Sequence, residues 1–458
     1  MIPLTAYKFE KNIHLYRYND LNIMLDVNSG AVHLLDDMTY LLVQKTIDFN
    51  GDIYKAKEYY MTHYSEEVLN EAILEIVAAY KDGAMFSEEE NLEVDFGNMP
   101  LKAICLNIAH TCNMKCKYCF ASEGSFGGDT SLMPIETGKK TLDFLIEKSN
   151  GVKNLEIDFF GGEPLLNFEL VKELVFYGRQ KEKEYNKKIN FTLTTNVLLL
   201  DDEIMDFIVK NNISIILSLD GRPEINDYHR NLKNGEGTYN LIVPLIKKMI
   251  NKKPQSYYVR GTFTRNNLDF VNDFKHLVNL DIDAISLEPA VGVDNPYSIK
   301  EEDMPRVLKE YDKLTDYLLE CFEKKKDIHF FHYNLDLQKG PCIAKRTSGC
   351  GAGIEYIAVT PEGDVYPCHQ FIGKKDFCMG NVTTKKLANQ MVDKFKTNHL
   401  HKEICNSCWA RYYCGGGCHA NAYDYNNSIS IPYKNGCAMH KKRIEGAIYL
   451  ELKKKISQ

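Results

Sequence analysis

Three cysteines, Cys112, Cys116 and Cys119, fall within the run HTCNMKCKYCFAS. A Cys-x3-Cys-x2-Cys spacing offers three thiolates from one short loop. They could hold three irons of a [4Fe-4S] cube and leave the fourth open to a ligand that is not protein. An open iron is a place for chemistry. The competing reading is a structural zinc site with His110 as fourth ligand, although zinc sites usually draw paired ligands from two distant loops. A second array occupies the last third: Cys405-x2-Cys408-x5-Cys414-x3-Cys418 and then Cys437, with Cys342, Cys350 and Cys368 upstream. Eight thiolates are enough for two sites of four, with a zinc ribbon as the alternative. Cys105, Cys321 and Cys378 join no spaced set and read as small buried hydrophobes.

The residues between the arrays must position them. From about Leu101 to Asp327 apolar runs alternate with helical patterns, which predicts a parallel sheet or barrel. Strands are expected at Lys102 to Ala109, Leu155 to Phe160, Asn190 to Thr194, Ser214 to Leu219, Tyr257 to Thr262 and Ala284 to Glu288. The helix after the sixth shows apolar residues from Val307 to Phe322 at three- and four-residue spacing. Polar residues or glycines stand at the carboxyl end of each strand: the cysteine triplet, Gly161-Gly162-Glu163-Pro164, Thr195-Asn196, Asp220-Gly221, Thr264-Arg265 and Glu288-Pro289. Parallel α/β barrels build their sites at these ends. Gly-Gly alone could be a tight turn and Asn196 a helix cap, but six such features in register with a cluster loop favour a site. No Walker loop or GxGxxG comes after any strand.

Residues 1 to about 86 read as a separate module. Leu21 to Val27 and Ala31 to Leu35 flank Asn28-Ser29-Gly30, a turn that suits a hairpin. Helical patterns then run from Leu41, over Ile53 to Met61, and from Val68 to Val77 behind a capping Ser65. This outline is winged-helix-like, and the acidic stretch Ser87 to Asp95 reads as a linker. Lys8, Lys11 and Arg17 make no basic recognition stripe.

The 458 residues imply two to four domains, and a net charge of −7 gives no field that would gather nucleic acid or an acidic membrane. Fourteen cysteines without an apolar signal segment or spanning run fit a reducing cytoplasm and metal or redox work. No nucleic-acid or membrane partner is expected.

The triplet spacing and the motifs after successive strands resemble the radical S-adenosylmethionine (SAM) superfamily, which implies a partial (β/α)6 TIM-like barrel over residues 100–326. By that resemblance Gly161, Gly162 and Glu163 bind the methionine amino group, with the Glu163 carboxylate pairing the ammonium. Thr195 and Asn196 contact ribose, Ser218 and Asp220 lie on the next strand end, and Arg265 partners the methionine carboxylate. Tyr118 matches the position near adenine. The resemblance implies one-electron reduction of the cluster, cleavage of SAM and hydrogen abstraction from substrate.

The second array resembles the SPASM domain, here residues 327–458, which implies two auxiliary [4Fe-4S] clusters and three in all. One would be held by Cys342, Cys350, Cys368 and Cys418, the other by Cys405, Cys408, Cys414 and Cys437. The gap between Cys342 and Cys350 is longer than in some relatives, and loss of Cys342 would leave an iron open to a substrate thiol. The first module resembles the peptide-recognition domains that add a leader segment to a strand edge. Over nearly its whole length, through LDVNSGAVH, IAHTCNMKCKYCFAS, EIDFFGGEPLLNF, YYVRGTFTR, GPCIAKR and VYPCHQF, the chain resembles maturases of the cysteine-rich SCIFF peptides. Those enzymes form ranthipeptide- or sactipeptide-type thioethers and draw on a low-potential electron donor. The nearest rival is an anaerobic sulfatase-maturating enzyme, which carries Asp where His369 follows Cys368. A non-catalytic iron-sulfur electron carrier is the rival from another class. His369, Asp220 and Glu288 are the candidate bases.

Overall fold

A computed structural model describes residue 4 and residues 7–89, 96, 99–337, 340 and 347–457. The expected linker beyond Glu89 and the ligand Cys342 lie outside the described residues.

The first module is a three-stranded antiparallel sheet followed by three helices. Strands β1 (Ile13–Tyr18), β2 (Leu21–Asp26) and β3 (Val32–Leu35) pair in that order, so the expected hairpin gains a strand on its amino-terminal side. Helices α1 (Asp37–Asp48), α2 (Ile53–Tyr60) and α3 (Glu66–Lys81) begin behind Asp36, Asp52 and Ser65, whose side chains accept from Thr39, Lys55 and Val68 N–H. Each cap satisfies an amide that the helix leaves orphaned. Helix α3 buries Leu69, Ala72, Ile73 and Ile76, while Val68, expected on the same stripe, is exposed.

The module is fastened to the rest of the chain. The Arg411 side chain, 1% exposed, donates to the Lys11 carbonyl (2.6 Å), Asn12 Oδ1 (2.9 Å) and Asn28 Oδ1 (2.7 Å). His14 stacks on Trp409 with ring centroids 3.7 Å apart and meets Glu445 at 3.0 Å. Tyr18 donates to Thr315 (3.0 Å), and Asp20 accepts from Tyr449 (3.1 Å) and Lys453 (2.9 Å).

The second layer system is an open sheet of β/α units. Strands β4 (Ala103–Ala109), β5 (Asn154–Gly161), β6 (Lys188–Thr195), β7 (Ile213–Ser218), β8 (Tyr257–Phe263) and β9 (Ala284–Pro289) run parallel and in sequence order. Four of them alternate buried and partly exposed or open positions, as strands with two different faces must, and their buried side chains join one apolar core with the covering helices. The long helix Met304–Glu323 buries Val307, Tyr311, Leu314, Leu318 and Cys321, the stripe read from sequence.

The sheet continues past the domain boundary expected at residue 327. β10 (His329–Phe330) pairs with β9 as a seventh parallel strand. On the other edge β11 (Tyr356–Val359) lies parallel to β4, and three short antiparallel strands extend it: β12 (Asp364–Tyr366), β13 (Gly380–Asn381) and β14 (Lys386–Leu387). The cysteine-rich region therefore shares backbone hydrogen bonds with the barrel instead of hanging from it. Among the described residues no helix is long and apolar enough to cross a membrane.

Candidate functional site

A cavity of about 680 Å³ opens at the carboxyl ends of the parallel strands. Cys112, Cys116 and Cys119 line one side, and Cys350, Cys414, Cys418 and Cys437 line another. Between them lie Gly161, Gly162, Thr195, Asn196 and Ser218.

The cluster loop is held by the neighbouring strand ends. Met114 to Cys116 forms a short antiparallel pair with Arg230 to Leu232, so Cys116 sits opposite Arg230. Asn196 Nδ2 donates to Asn113 Oδ1 (2.7 Å) and approaches Cys112 Sγ at 3.6 Å, while Met114 N–H points at the same sulfur at 3.4 Å. N–H groups aimed at sulfur favour a thiolate. Burial pushes the Cys116 thiol up to about 12, a cost that coordination to iron would remove by deprotonating it outright.

Gly161 and Gly162 are dictated by close approach. Gly161 has φ +131, and a Cβ there would be driven into the Ala109 carbonyl; a Cβ on Gly162 would meet the Thr111 carbonyl and Gly124 Cα. The loop carrying Cys112 thus lies directly on this backbone. Gly162→Ala is expected to displace the loop, cost about 1–3 kcal/mol as overpacking does, and reduce iron uptake at the triplet. Iron per chain after reconstitution, beside a urea titration, measures both; wild-type values for each would sink the argument.

Glu163 lies behind the cavity wall. Its carboxylate is 1% exposed and does not line the cavity. Oε1 accepts from Leu165 N–H (3.0 Å) and Thr195 Oγ1 (2.8 Å), and Oε2 from Asn196 N–H (2.7 Å). Three donors thus take most of the accepting capacity of this carboxylate, and it points behind the wall rather than into the cavity. Glu163 instead ties the turn after β5 to the turn after β6. That second turn carries Val197 at φ +80, an unusual conformation for a β-branched residue, with its N–H donated to Thr195 Oγ1 (3.0 Å).

Arg265 is also displaced. It pairs with Glu302 (2.6 Å) and Asp303 (3.5 Å) and is absent from the cavity wall. The guanidiniums that line the cavity are Arg230, Arg260 and Arg443, none of them singled out by sequence. Arg230 is 7% exposed; Nη1 donates to Tyr118 Oη (3.0 Å) and Nε is buried without a partner. Tyr118 Oη in turn lies 2.9 and 2.8 Å from the two oxygens of Asp220, and Asp220 Oδ1 also accepts from Thr262 N–H (3.0 Å). Burial pushes the Asp220 carboxyl up to about 6, against the pull of Arg230, Thr262 and Tyr118. An orphaned cationic donor and a glycine cradle beside three thiols suit a ligand with an anionic group and a chain that needs close backbone approach.

The C-terminal cysteines separate into two groups. Burial and the charges of Cys418 and Cys350 raise the Cys368 thiol, whereas Cys437 responds after burial to Cys414, Cys405 and Cys408. Within each inferred set these described thiols lie close enough to feel one another's charge. Lys402, 8% exposed and donating to the Ile429 carbonyl (2.9 Å), senses thiols of both groups. Among the described residues no three His, Cys, Asp or Glu side chains close on a single metal ion; Cys350, Cys414, Cys418 and Cys437 face the cavity, while Cys368, Cys405 and Cys408 lie off its wall.

His369 lies between the rings of Phe120 and Phe160, at centroid distances of 5.5 and 5.0 Å, with Nδ1 3.4 Å from Tyr356 Oη. Glu288 lines the cavity and meets His332 Nε2 at 3.2 Å.

Residues 106–276 match the radical SAM superfamily model, and residues 350–409 match the iron-sulfur cluster-binding SPASM model. The chain is a radical SAM/SPASM protein. Its relatives include a cysteine-type anaerobic sulfatase-maturating enzyme of Clostridium perfringens, 26% identical over 76% of this chain and 96% of that protein. The antilisterial bacteriocin subtilosin biosynthesis protein AlbA of Bacillus subtilis is 26% identical over 72% of this chain and 71% of its own. Among solved structures, anSMEcpe with bound AdoMet superposes with TM-score 0.64 at 23% identity, covering 77% of this chain and 94% of that one. Streptococcus suis SuiB bound to S-adenosylmethionine gives TM-score 0.54 at 17% identity over 93% of this chain and 99% of its own. The wider coverage by SuiB corresponds to a stretch about the size of the amino-terminal module of the radical SAM/SPASM protein.

Proposed function

We propose that the protein matures a ribosomally made, cysteine-rich peptide by forming intramolecular thioether bonds between cysteine sulfur and carbon, as SCIFF maturases do. The observation that carries this reading is the shared cavity faced by the Cys112–Cys119 triplet and by thiols of both C-terminal groups. A peptide segment in that space would meet a hydrogen-abstracting centre on one side and thiol-binding iron on the other. SAM and a reduced cluster, when bound, supply removal of a hydrogen atom from an unactivated carbon.

The chain's own residues do the rest. Cys112, Cys116 and Cys119 would hold the first cluster. Cys350, Cys368 and Cys418, with Cys342, would hold a second, and Cys405, Cys408, Cys414 and Cys437 a third. Gly161 and Gly162 admit the methionine backbone, and Thr195, Asn196, Ser218 and Tyr118 frame the nucleoside. Arg230 takes the carboxylate role that Arg265 was expected to fill. Arg230→Lys is therefore expected to weaken SAM binding roughly 10- to 100-fold, the loss of about one charge-assisted bond, while Arg265→Ala stays near wild type. Equilibrium dialysis with radiolabelled SAM decides between them; the reverse ranking would return the role to Arg265.

Among the described residues strand β3 pairs on one side only, with β2, and Leu34 on it is 47% exposed. A leader segment would add to that edge through backbone hydrogen bonds. A solved structure of SuiB bound to its precursor peptide SuiA, whose fold covers 93% of this chain, supports the assignment. Exposed Phe120 and Phe331 at the cavity rim suit a peptide more than a small polar substrate.

Sulfatase maturation is the second reading, favoured by the identity to the Clostridium perfringens enzyme. Against it stands His369 in an apolar slot, where burial first and Arg260 second lower its pKa to about 4 and leave a neutral imidazole in place of a carboxylate. The test is anaerobic incubation of reconstituted enzyme, SAM and reductant with the cysteine-rich peptide encoded nearby. Loss of a pair of hydrogens and of one alkylatable thiol per bond supports thioether formation. An unchanged peptide with deoxyadenosine accumulating overturns the substrate assignment and leaves sulfatase-type peptides as the next substrates.

A further inference from the structure

The cavity holds a proton acceptor that neither the superfamily motifs nor the candidate bases account for. Strand β9 points Ser286 and Glu288 to the same face, and the short 3-10 turn Phe331–Tyr333 after β10 brings His332 against both. His332 Nε2 lies 3.2 Å from Glu288 Oε1 and 3.4 Å from Ser286 Oγ. Both His332 and Glu288 line the cavity, with side chains 11% and 30% exposed. With Nε2–H donated to the carboxylate, Nδ1 keeps its lone pair, and no hydrogen bond occupies it among the described residues.

The charges around the pair fix its state. Arg260 from β8 and Arg443 from the C-terminal helix Lys434–Ile456 both face Glu288, and Tyr311 of the Met304–Glu323 helix lies nearby. Burial would raise the Glu288 carboxyl, but His332 and the two guanidiniums outweigh it, so Glu288 stays ionised. Burial lowers His332, with Arg443 and Arg260 pushing the same way against Glu288, so the imidazole is neutral near pH 7. A neutral imidazole backed by a carboxylate is a general base. The other candidates lack this arrangement: Asp220 is occupied by Tyr118 and Thr262, and His369 has Tyr356 and aromatic rings but no carboxylate.

We propose that His332, oriented by Glu288, accepts the thiol proton of the substrate cysteine. The inference rests on the thioether reading above. In this step the S–H bond breaks, its electron pair stays on sulfur, and an N–H bond forms at His332 Nδ1. The imidazolium charge is offset by Glu288, and no electron is transferred. The thiolate produced is the form that binds iron and bonds to carbon.

The test compares wild type, His332→Asn and Glu288→Gln in the reconstituted holoenzyme, scoring thioether formed per SAM cleaved across pH 6 to 9. Wild type should be well coupled near pH 7. His332→Asn should lower the ratio by about 100-fold, a usual contribution for general-base catalysis, and Glu288→Gln should lower it less. Raising the pH toward the thiol's own value of about 8.5 should restore His332→Asn, as should a peptide with selenocysteine at the reacting position, whose selenol needs no base. SAM affinity measured in parallel reports whether each variant is folded. A variant that binds SAM and stays coupled at every pH, or one that neither high pH nor selenocysteine rescues, overturns the assignment. A wild type that cleaves SAM yet makes no thioether instead overturns the thioether reading, and this inference with it.

Discussion

Replacing Arg411 with methionine is expected to cost about 3–5 kcal/mol of stability and to lower iron uptake by the Cys405, Cys408, Cys414 and Cys437 group. The guanidinium is buried, and its hydrogen-bond partners are neutral acceptors on the amino-terminal module, Lys11 O, Asn12 Oδ1 and Asn28 Oδ1, with Cys408 O more distant at 3.3 Å. Methionine fills similar volume but supplies no donor, so the buried Asn12 Oδ1 and the partly buried Lys11 O and Asn28 Oδ1 lose their partner. The Arg411 carbonyl also accepts from His399 (2.9 Å), in the segment leading to Cys405, so the disturbance reaches the thiols. Arg411→Lys keeps the charge but loses the planar fork, and should fall between the two. Urea unfolding followed by circular dichroism gives the stability and iron analysis gives the second readout. A change below about 1 kcal/mol would remove Arg411 from any structural role.

The largest effect on activity is expected from the cysteines, and the two arrays should differ in kind. Cys116→Ala takes one of three thiolates from the loop that faces the glycine cradle, and SAM cleavage should fall to background. Cys408 lies outside the cavity wall, in the apolar cluster shared by the first module and the C-terminal helix. Cys408→Ala should therefore leave SAM cleavage running while thioether formation stops. Chromatography of deoxyadenosine and mass spectrometry of the peptide separate the outcomes. Full crosslinking by either variant would refute the assignment of that cysteine.

The sequence exposed the barrel clearly because each strand end is marked by glycine or polar residues and each helix by spacing. The six strands expected from the apolar runs, β4 to β9, lie within about two residues of where those runs placed them. The features that stayed hidden depend on side-chain aim. Glu163 was expected inside the cavity, yet it precedes Pro164 and a short helical turn, and its oxygen caps Leu165 N–H; a capping signal was present and was outweighed by the motif. Arg230 sits on a three-residue strand, too short to show a period, and only its pairing with Met114 to Cys116 brings it to the cavity. His332 comes after a two-residue edge strand, and no local pattern places it opposite Glu288. Strand β1 alternates weakly, because one face packs on the module's own core and the other on residues hundreds of positions away.

The fastening of the first module to both other parts of the chain gives the molecule a built-in ruler. Arg411 and Trp409 grip it from the cysteine-rich region, Thr315 from the barrel, and Tyr449 and Lys453 from the last helix. Contacts at so many separated points oppose a swing of the module and set the span from the edge of β3 to the cavity. For a chain tethered at that edge, each residue of spacer covers at most about 3.3–3.6 Å. On the proposed leader docking, the number of residues between tether and reacting position would then select which side chain arrives at the cavity, and lengthening that spacer would move the selection along the peptide without altering a single residue of the enzyme.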